Sequence, residues 1–110
     1  MSTDTDLVAY IQESEFETLL SEKNILVVDF TATWCGPCRL VAPLMEQLAQ
    51  EYKDSAKVVK VDVDNNKPML KKFGLRSIPA VLIFKNGELA ETIVGVSPYE
   101  KFSSAVSQLL

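Results

Sequence analysis

Histidine is absent from this 110-residue chain, and cysteine occurs only at Cys35 and Cys38. A four-ligand zinc site of thiolates and imidazoles therefore cannot be completed within one chain. It would need carboxylates, or two chains pooling their cysteines around zinc or an iron–sulfur cluster. Missing too is any window of the roughly 18 apolar residues that a membrane span needs. There is no basic cluster, and the formal net charge is -4, which argues against a phosphate backbone as the main partner. The opening stretch, Met1 to Asp6, carries acids and no base, and no apolar run as long as the h-region of a signal follows it. That pattern is unlike a secretory signal or transit peptide. These absences lead to the expectation of a cytoplasmic protein that binds neither nucleic acid nor membrane and holds no metal; a monomer is expected as well.

No repeat, low-complexity segment or Pro/Gly/Ser linker divides the chain, so residues 1–110 read as one domain, with 1–6 a flexible N-terminal segment. A chain of this size buries roughly two-thirds of its unfolded surface and can fold without staples. After a short apolar stretch, Leu7 to Ile11, the segment Ser14 to Leu20 has a capping serine and helical spacing, and Asn24 breaks it. Ile25 to Phe30 is a nearly continuous apolar, β-branched run, the pattern of a strand buried on both faces. From Cys35 to Tyr52, Val41, Leu44, Met45, Leu48, Ala49 and Tyr52 mark one face of a long helix, in which Pro43 predicts a kink. Val58 to Val63 reads as a second buried strand, and Pro68 to Phe73 as a short helix ended by Gly74. Ala80 to Lys85, Asn86-Gly87 and Glu88 to Val94 form a hairpin pattern, because Asn-Gly suits the positive φ angles of a type I′ turn. Ser97-Pro98-Tyr99-Glu100 places a capping serine before a last helix, with Phe102, Val106 and Leu109 on one face. Strands alternating with helices, then a hairpin, predict an α/β fold: a mixed sheet with helices on both faces and an antiparallel edge.

With the metal readings weakened, the cysteine pair has two other uses. As a structural staple it would close so short a loop that little unfolded-state entropy is removed. Redox exchange uses every residue of Trp34-Cys35-Gly36-Pro37-Cys38. The attacking species is a thiolate, and a helix N-terminus favours negative charge through its unpaired amides. Cys35 lies at that entrance beside the small residues Gly36 and Pro37, so it reads as the exposed nucleophile. Cys38, one turn deeper, reads as the shielded resolving thiol. Acidifying a thiol by about 1.5 pH units raises its thiolate fraction about 16-fold at pH 7 but weakens each thiolate about 5-fold. Holding a second thiol one turn away contributes more, through a high effective molarity.

Resolution requires a deprotonated Cys38, and Asp29, the only charged residue in Ile25 to Phe30, is the candidate proton acceptor. The alternative is an Asp29 that points to water at a strand edge. Lys60, on the second strand, either pairs with Asp29 or is solvated. Pro79 precedes the strand Ala80 to Lys85, where proline is tolerated, and the Ile78-Pro79 bond is open to either isomer.

Taken together, Val28-Asp29-Phe30, Ala32, Trp34-Cys35-Gly36-Pro37-Cys38, Ala42-Pro43, Lys60-Val61-Asp62, Gly74, Arg76, Ile78-Pro79, Phe84-Lys85-Asn86-Gly87 and Val94-Gly95 resemble the thioredoxin family over almost the whole chain. The resemblance implies a central mixed sheet of about five strands flanked by four helices. It implies a redox-active Cys35–Cys38 disulfide with no other cofactor, Asp29 as a buried proton acceptor, and a cis Pro79 facing the disulfide. Trp34, Gly36, Pro37, Ile78, Pro79, Val94 and Gly95 would form an apolar docking surface for disulfide-containing target proteins. Two residues depart from the family pattern: Thr31, where most members have tryptophan, and Ser77, where many have glycine.

The function expected is a protein dithiol–disulfide oxidoreductase, working as a disulfide reductase through a mixed disulfide. A separate reductase, nicotinamide- or ferredoxin-linked, would recharge it, because the chain is too short to hold such a domain of its own. The alternatives are a redox-independent or redox-switched binding subunit using the same surface, and an oxidase or isomerase on the same fold.

Overall fold

The computed structural model describes residues 7–110, so the segment 1–6 expected to be flexible lies outside the described residues. Five strands make one sheet in the order β1-β3-β2-β4-β5, namely β1 (Ala9–Tyr10), β2 (Ile25–Thr31), β3 (Lys57–Asp62), β4 (Ala80–Lys85) and β5 (Glu88–Val94). Pairing of β1 with β3 and of β3 with β2 is parallel; β4 runs antiparallel to both β2 and β5. The helices are α1 (Glu13–Glu22), α2 (Gly36–Glu51), α3 (Lys67–Lys72) and α4 (Tyr99–Ser107). This is the mixed sheet with an antiparallel edge that the element pattern predicts.

β2 is central because its side chains bury on both faces. Leu26, Val28 and Phe30 pack with Phe16 and Met69 from α1 and α3, and Ile25 and Val27 pack with Val41, Met45 and Phe102 from α2 and α4. The two-residue period of a strand produces that division. Phe16, Phe73 and Phe84 meet edge to face, with centroids 5.4–5.7 Å apart, and close the first core. Because β2 lies between β3 and β4, its C-terminal end leads into α2 at a point where the chain connections diverge, the usual place for a site in an open α/β sheet.

Several boundaries differ from the sequence expectation. The N-cap of α1 is Gln12, not Ser14, and the Glu15 carboxylate accepts the Gln12 N–H at 2.9 Å. Ser14 is already helical. The N-cap of α4 is Pro98, without a side-chain cap, because its extended ψ of 151° keeps it outside the helix. Val63 leaves the β3 ladder to begin a 3₁₀ turn (Val63–Asn65), in which Asp62 Oδ1 accepts the Asp64 N–H at 3.0 Å. As the sequence reading expects, α2 is one long helix that contains Pro43. Asn86 and Gly87 take φ values of 52° and 85°, as the hairpin turn demands, and Gly74, with φ 65°, follows α3.

The stretch Leu7 to Ile11 contributes β1, which is too short to carry a periodic signal. It is fastened from α2: the Glu46 carboxylate accepts the N–H groups of Leu7 at 2.7 Å and Val8 at 3.0 Å. Replacing Glu46 with alanine is expected to cost about 1–2 kcal/mol by removing two charge-assisted acceptors, while glutamine retains part of that contribution. Urea unfolding checks it; equal midpoints for the alanine variant and the parent contradict it.

Candidate active site

The turn from β2 into α2 sets the cysteines. The Cys35 N–H donates to the Ala32 carbonyl at 3.2 Å, and Arg39 Nη2 donates to the Thr33 carbonyl at 3.0 Å, so the Thr33-Trp34 turn is tied at both ends. Cys35 is the N-cap of α2 and Pro37 lies within its first two positions, where a missing N–H costs nothing. Cys35 and Cys38 are joined in a disulfide, and the Cys38 N–H donates to Cys35 Sγ at 3.2 Å. A sulfur therefore occupies the position where a capping oxygen usually receives an orphan amide, and negative charge on it would be favoured by that amide and by the helix dipole.

The expected contrast in exposure between the cysteines is nearly absent: Cys35 is 4% and Cys38 2% exposed. Bonded to each other, both sulfurs belong to the core cluster that includes Phe30, Ala32 and Ala80. Around them, Gly36 and Pro37 are exposed, Trp34 is 65% exposed and Val94 is also open to solvent. Ile78 and Gly95 are half-buried, and Pro79, expected on the open surface, is buried. Its carbonyl accepts the Gly95 N–H at 2.8 Å, which draws the two loops together over the end of β4 and β5. The Ile78–Pro79 bond is cis.

Asp29 does not sit at a strand edge. It is 2% exposed, registered between Lys60 on β3 and Val81 on β4, and one carboxylate oxygen, Oδ1, has no hydrogen-bond partner. Burial pushes its carboxyl up to about 7, and the positive charge of Lys60 opposes that rise without cancelling it. Lys60 is not an ion-pair partner of Asp29: its ammonium lies over the Tyr10 ring, 4.5 Å from the centroid, and Lys72–Glu17 is the only ion pair among the described residues. A cavity of about 200 Å³ adjoins Asp29, lined also by Val8, Ala42, Pro43, Met45, Glu46 and Lys60. Ala42 is four residues beyond Cys38, one turn along the same face of α2.

Two residues of this region carried no sequence signal. Asp64 accepts the Trp34 indole N–H at 2.8 Å across thirty positions of chain, which orients the exposed ring beside the disulfide. Glu46 borders the Asp29 cavity while holding β1 in place. Neither belongs to a motif that spacing could reveal. Thr31 ends β2 half-buried and Ser77 is exposed in the loop before Ile78, so both departures adjoin the site.

Comparison with known proteins agrees with this geometry. A family model described as thioredoxin matches residues 7–108. Thioredoxin 1 of Synechococcus elongatus is 40% identical over 105 residues, covering 94% of this chain and 98% of that protein. The thioredoxin of Listeria monocytogenes is 43% identical over 102 residues, covering 93% and 98%. Among solved structures, a mutant thioredoxin from Halobacterium salinarum NRC-1 superposes with a TM-score of 0.86 at 28% identity, covering 99% of this chain and 95% of that one. The chain belongs to the thioredoxin family, and its Cys35–Cys38 pair is that of a dithiol–disulfide oxidoreductase.

Proposed function

We propose that the chain reduces disulfides of partner proteins in the cytoplasm, as a monomer and single domain, and is recharged by a separate thioredoxin reductase. The single observation that carries the reading is a disulfide at the N-terminus of α2 with a buried carboxyl under the same helix. In the reduced form, the Cys35 thiolate attacks one sulfur of the target disulfide. A mixed disulfide forms and the first target thiolate leaves. The Cys38 thiolate then attacks Cys35 Sγ, the Cys35–Cys38 disulfide closes, and the second target thiolate leaves with the electron pair. Two electrons and two protons from the reductase restore the dithiol.

Asp29 serves as acceptor of the Cys38 proton. Its carboxyl, pushed up to about 7, is balanced between its two protonation states near neutral pH. The adjoining cavity has room for water at Asp29, whose Oδ1 has no protein partner, and a water there can carry the proton away from the site. Lys60 biases Asp29 toward ionisation from a distance. Trp34, Gly36, Pro37, Ile78, Pro79, Val94 and Gly95 receive the target, with the backbone at Ile78 pairing to an extended target strand. The experiment is catalysis by the purified protein of protein-disulfide reduction by dithiothreitol. Acceleration well above the free dithiol is expected, and none would refute the reading. Trp34 is the only tryptophan, so its emission reports the redox state of the neighbouring sulfur.

A further inference from the structure

Beside the disulfide a groove of about 510 Å³ opens between Trp34 and the segment Leu75 to Ile78. Its floor is apolar, formed by Trp34, Val63, Leu70, Leu75 and Ile78, and its charged lining is Asp64, Lys67 and Arg76. Asp64 is engaged by the Trp34 indole. Lys67 and Arg76 are both exposed, and neither has a carboxylate within ion-pair distance among the described residues. A chain with a net charge of -4 thus presents two unpaired cations against one acid along a groove bounded by Trp34, the residue next to Cys35.

Given the reductase function proposed above, we propose that this groove selects target segments in which an apolar residue and an acidic residue flank the attacked cysteine. The apolar side chain fills the floor, and the target carboxylate lies against Lys67 and Arg76. Arg76 is two residues from Ile78, so a target strand paired at Ile78 carries its flanking side chains past the guanidinium. Each exposed ion pair contributes a factor of about 1.5 to 5. The effect appears mainly in encounter and register, and salt screens it.

The sign of the preference makes the test sharp. The long-range field of an acidic protein favours a basic peptide, whereas the groove favours an acidic one. Three cyclic disulfide peptides serve as probes, identical except for Glu, Gln or Lys beside an apolar residue flanking the cysteine. The reading is the second-order rate constant for oxidation of the reduced protein, followed by Trp34 emission. At low salt the Glu peptide is expected to react about 5-fold faster than the Gln peptide and about 10-fold or more faster than the Lys peptide. The ratios shrink as salt rises.

In the double variant Lys67→Gln/Arg76→Gln the Glu-to-Lys ratio is expected to fall to about 1 or below. Lys53→Gln/Lys101→Gln makes the same charge change at exposed positions outside the groove and retains the preference. Equal or Lys-favoured rates in the parent protein overturn the groove while leaving reductase function standing, as does a preference that survives the Lys67/Arg76 change. No reaction with any of the three peptides overturns the reductase reading and this one with it.

Discussion

Serine in place of Cys35 is expected to lower protein-disulfide reduction by about 10³-fold or more, to the level of the free dithiol alone. An alkoxide at that position is far too basic to form near neutral pH, and Cys38 does not substitute for it. Cys38 lies inside the first turn of α2 and not at its cap, and its own amide is aimed at the position of the Cys35 sulfur. Serine at position 38 gives the opposite signature. The first attack survives, and a covalent complex with the target accumulates because no second thiol is held within reach. Mass spectrometry under non-reducing conditions separates the cases: no adduct for Cys35→Ser, one target molecule per chain for Cys38→Ser. Substantial turnover by the Cys35 variant would reassign the nucleophile.

The second large effect is a stability that changes with pH through Asp29. Its carboxyl titrates near 3.8 when solvated and at about 7 in the fold, because burial opposes the charged form. Well below pH 3.8 the group is protonated in both folded and unfolded chains, and its favourable contribution is complete. As pH rises, the unfolded chain ionises first, so stability is lost steadily until the folded value is passed, and beyond it the loss is constant. The total is about 4 kcal/mol, a large share of the stability of a domain of this size. Asp29→Asn is therefore expected to stabilise the protein by about 2–4 kcal/mol at pH 8 and to change little at pH 4. Urea titrations at the two pH values check this, and equal effects at both would remove Asp29 as the source. The same substitution is expected to slow resolution of the mixed disulfide by about 10²-fold at pH 7. The deficit narrows at higher pH as Cys38 ionises unaided. A stabilised but slower protein is the combination that marks a residue retained for chemistry at the expense of the fold.

Much of the fold was legible because its signals are local. The β-branched run Ile25 to Phe30 identified the central strand, Asn86-Gly87 the hairpin, and the spacing from Val41 to Ala49 the buried face of α2. Caps were read less well. Ser14 and Ser97 have the right chemistry one or two positions from the true helix starts, where the backbone had already chosen Gln12 and Pro98. β1 was not legible at all, since two residues carry no period and its anchor, Glu46, is almost forty positions away.

The sequence by itself determined the local choices: which segments are helix or strand, that the paired thiols lie one turn apart at a helix entrance, and that a lone carboxylate interrupts the central strand. Tertiary structure alone decided what surrounds those groups. It buried both sulfurs almost equally, left an Asp29 oxygen unpartnered beside a cavity, turned Lys60 onto Tyr10, joined Trp34 to Asp64, and exposed Lys67 and Arg76 along one groove. Propensity, capping and periodicity act over a few residues, within reach of a sequence pattern. Desolvation and charge pairing depend on atoms brought together from strands and helices distant in the chain.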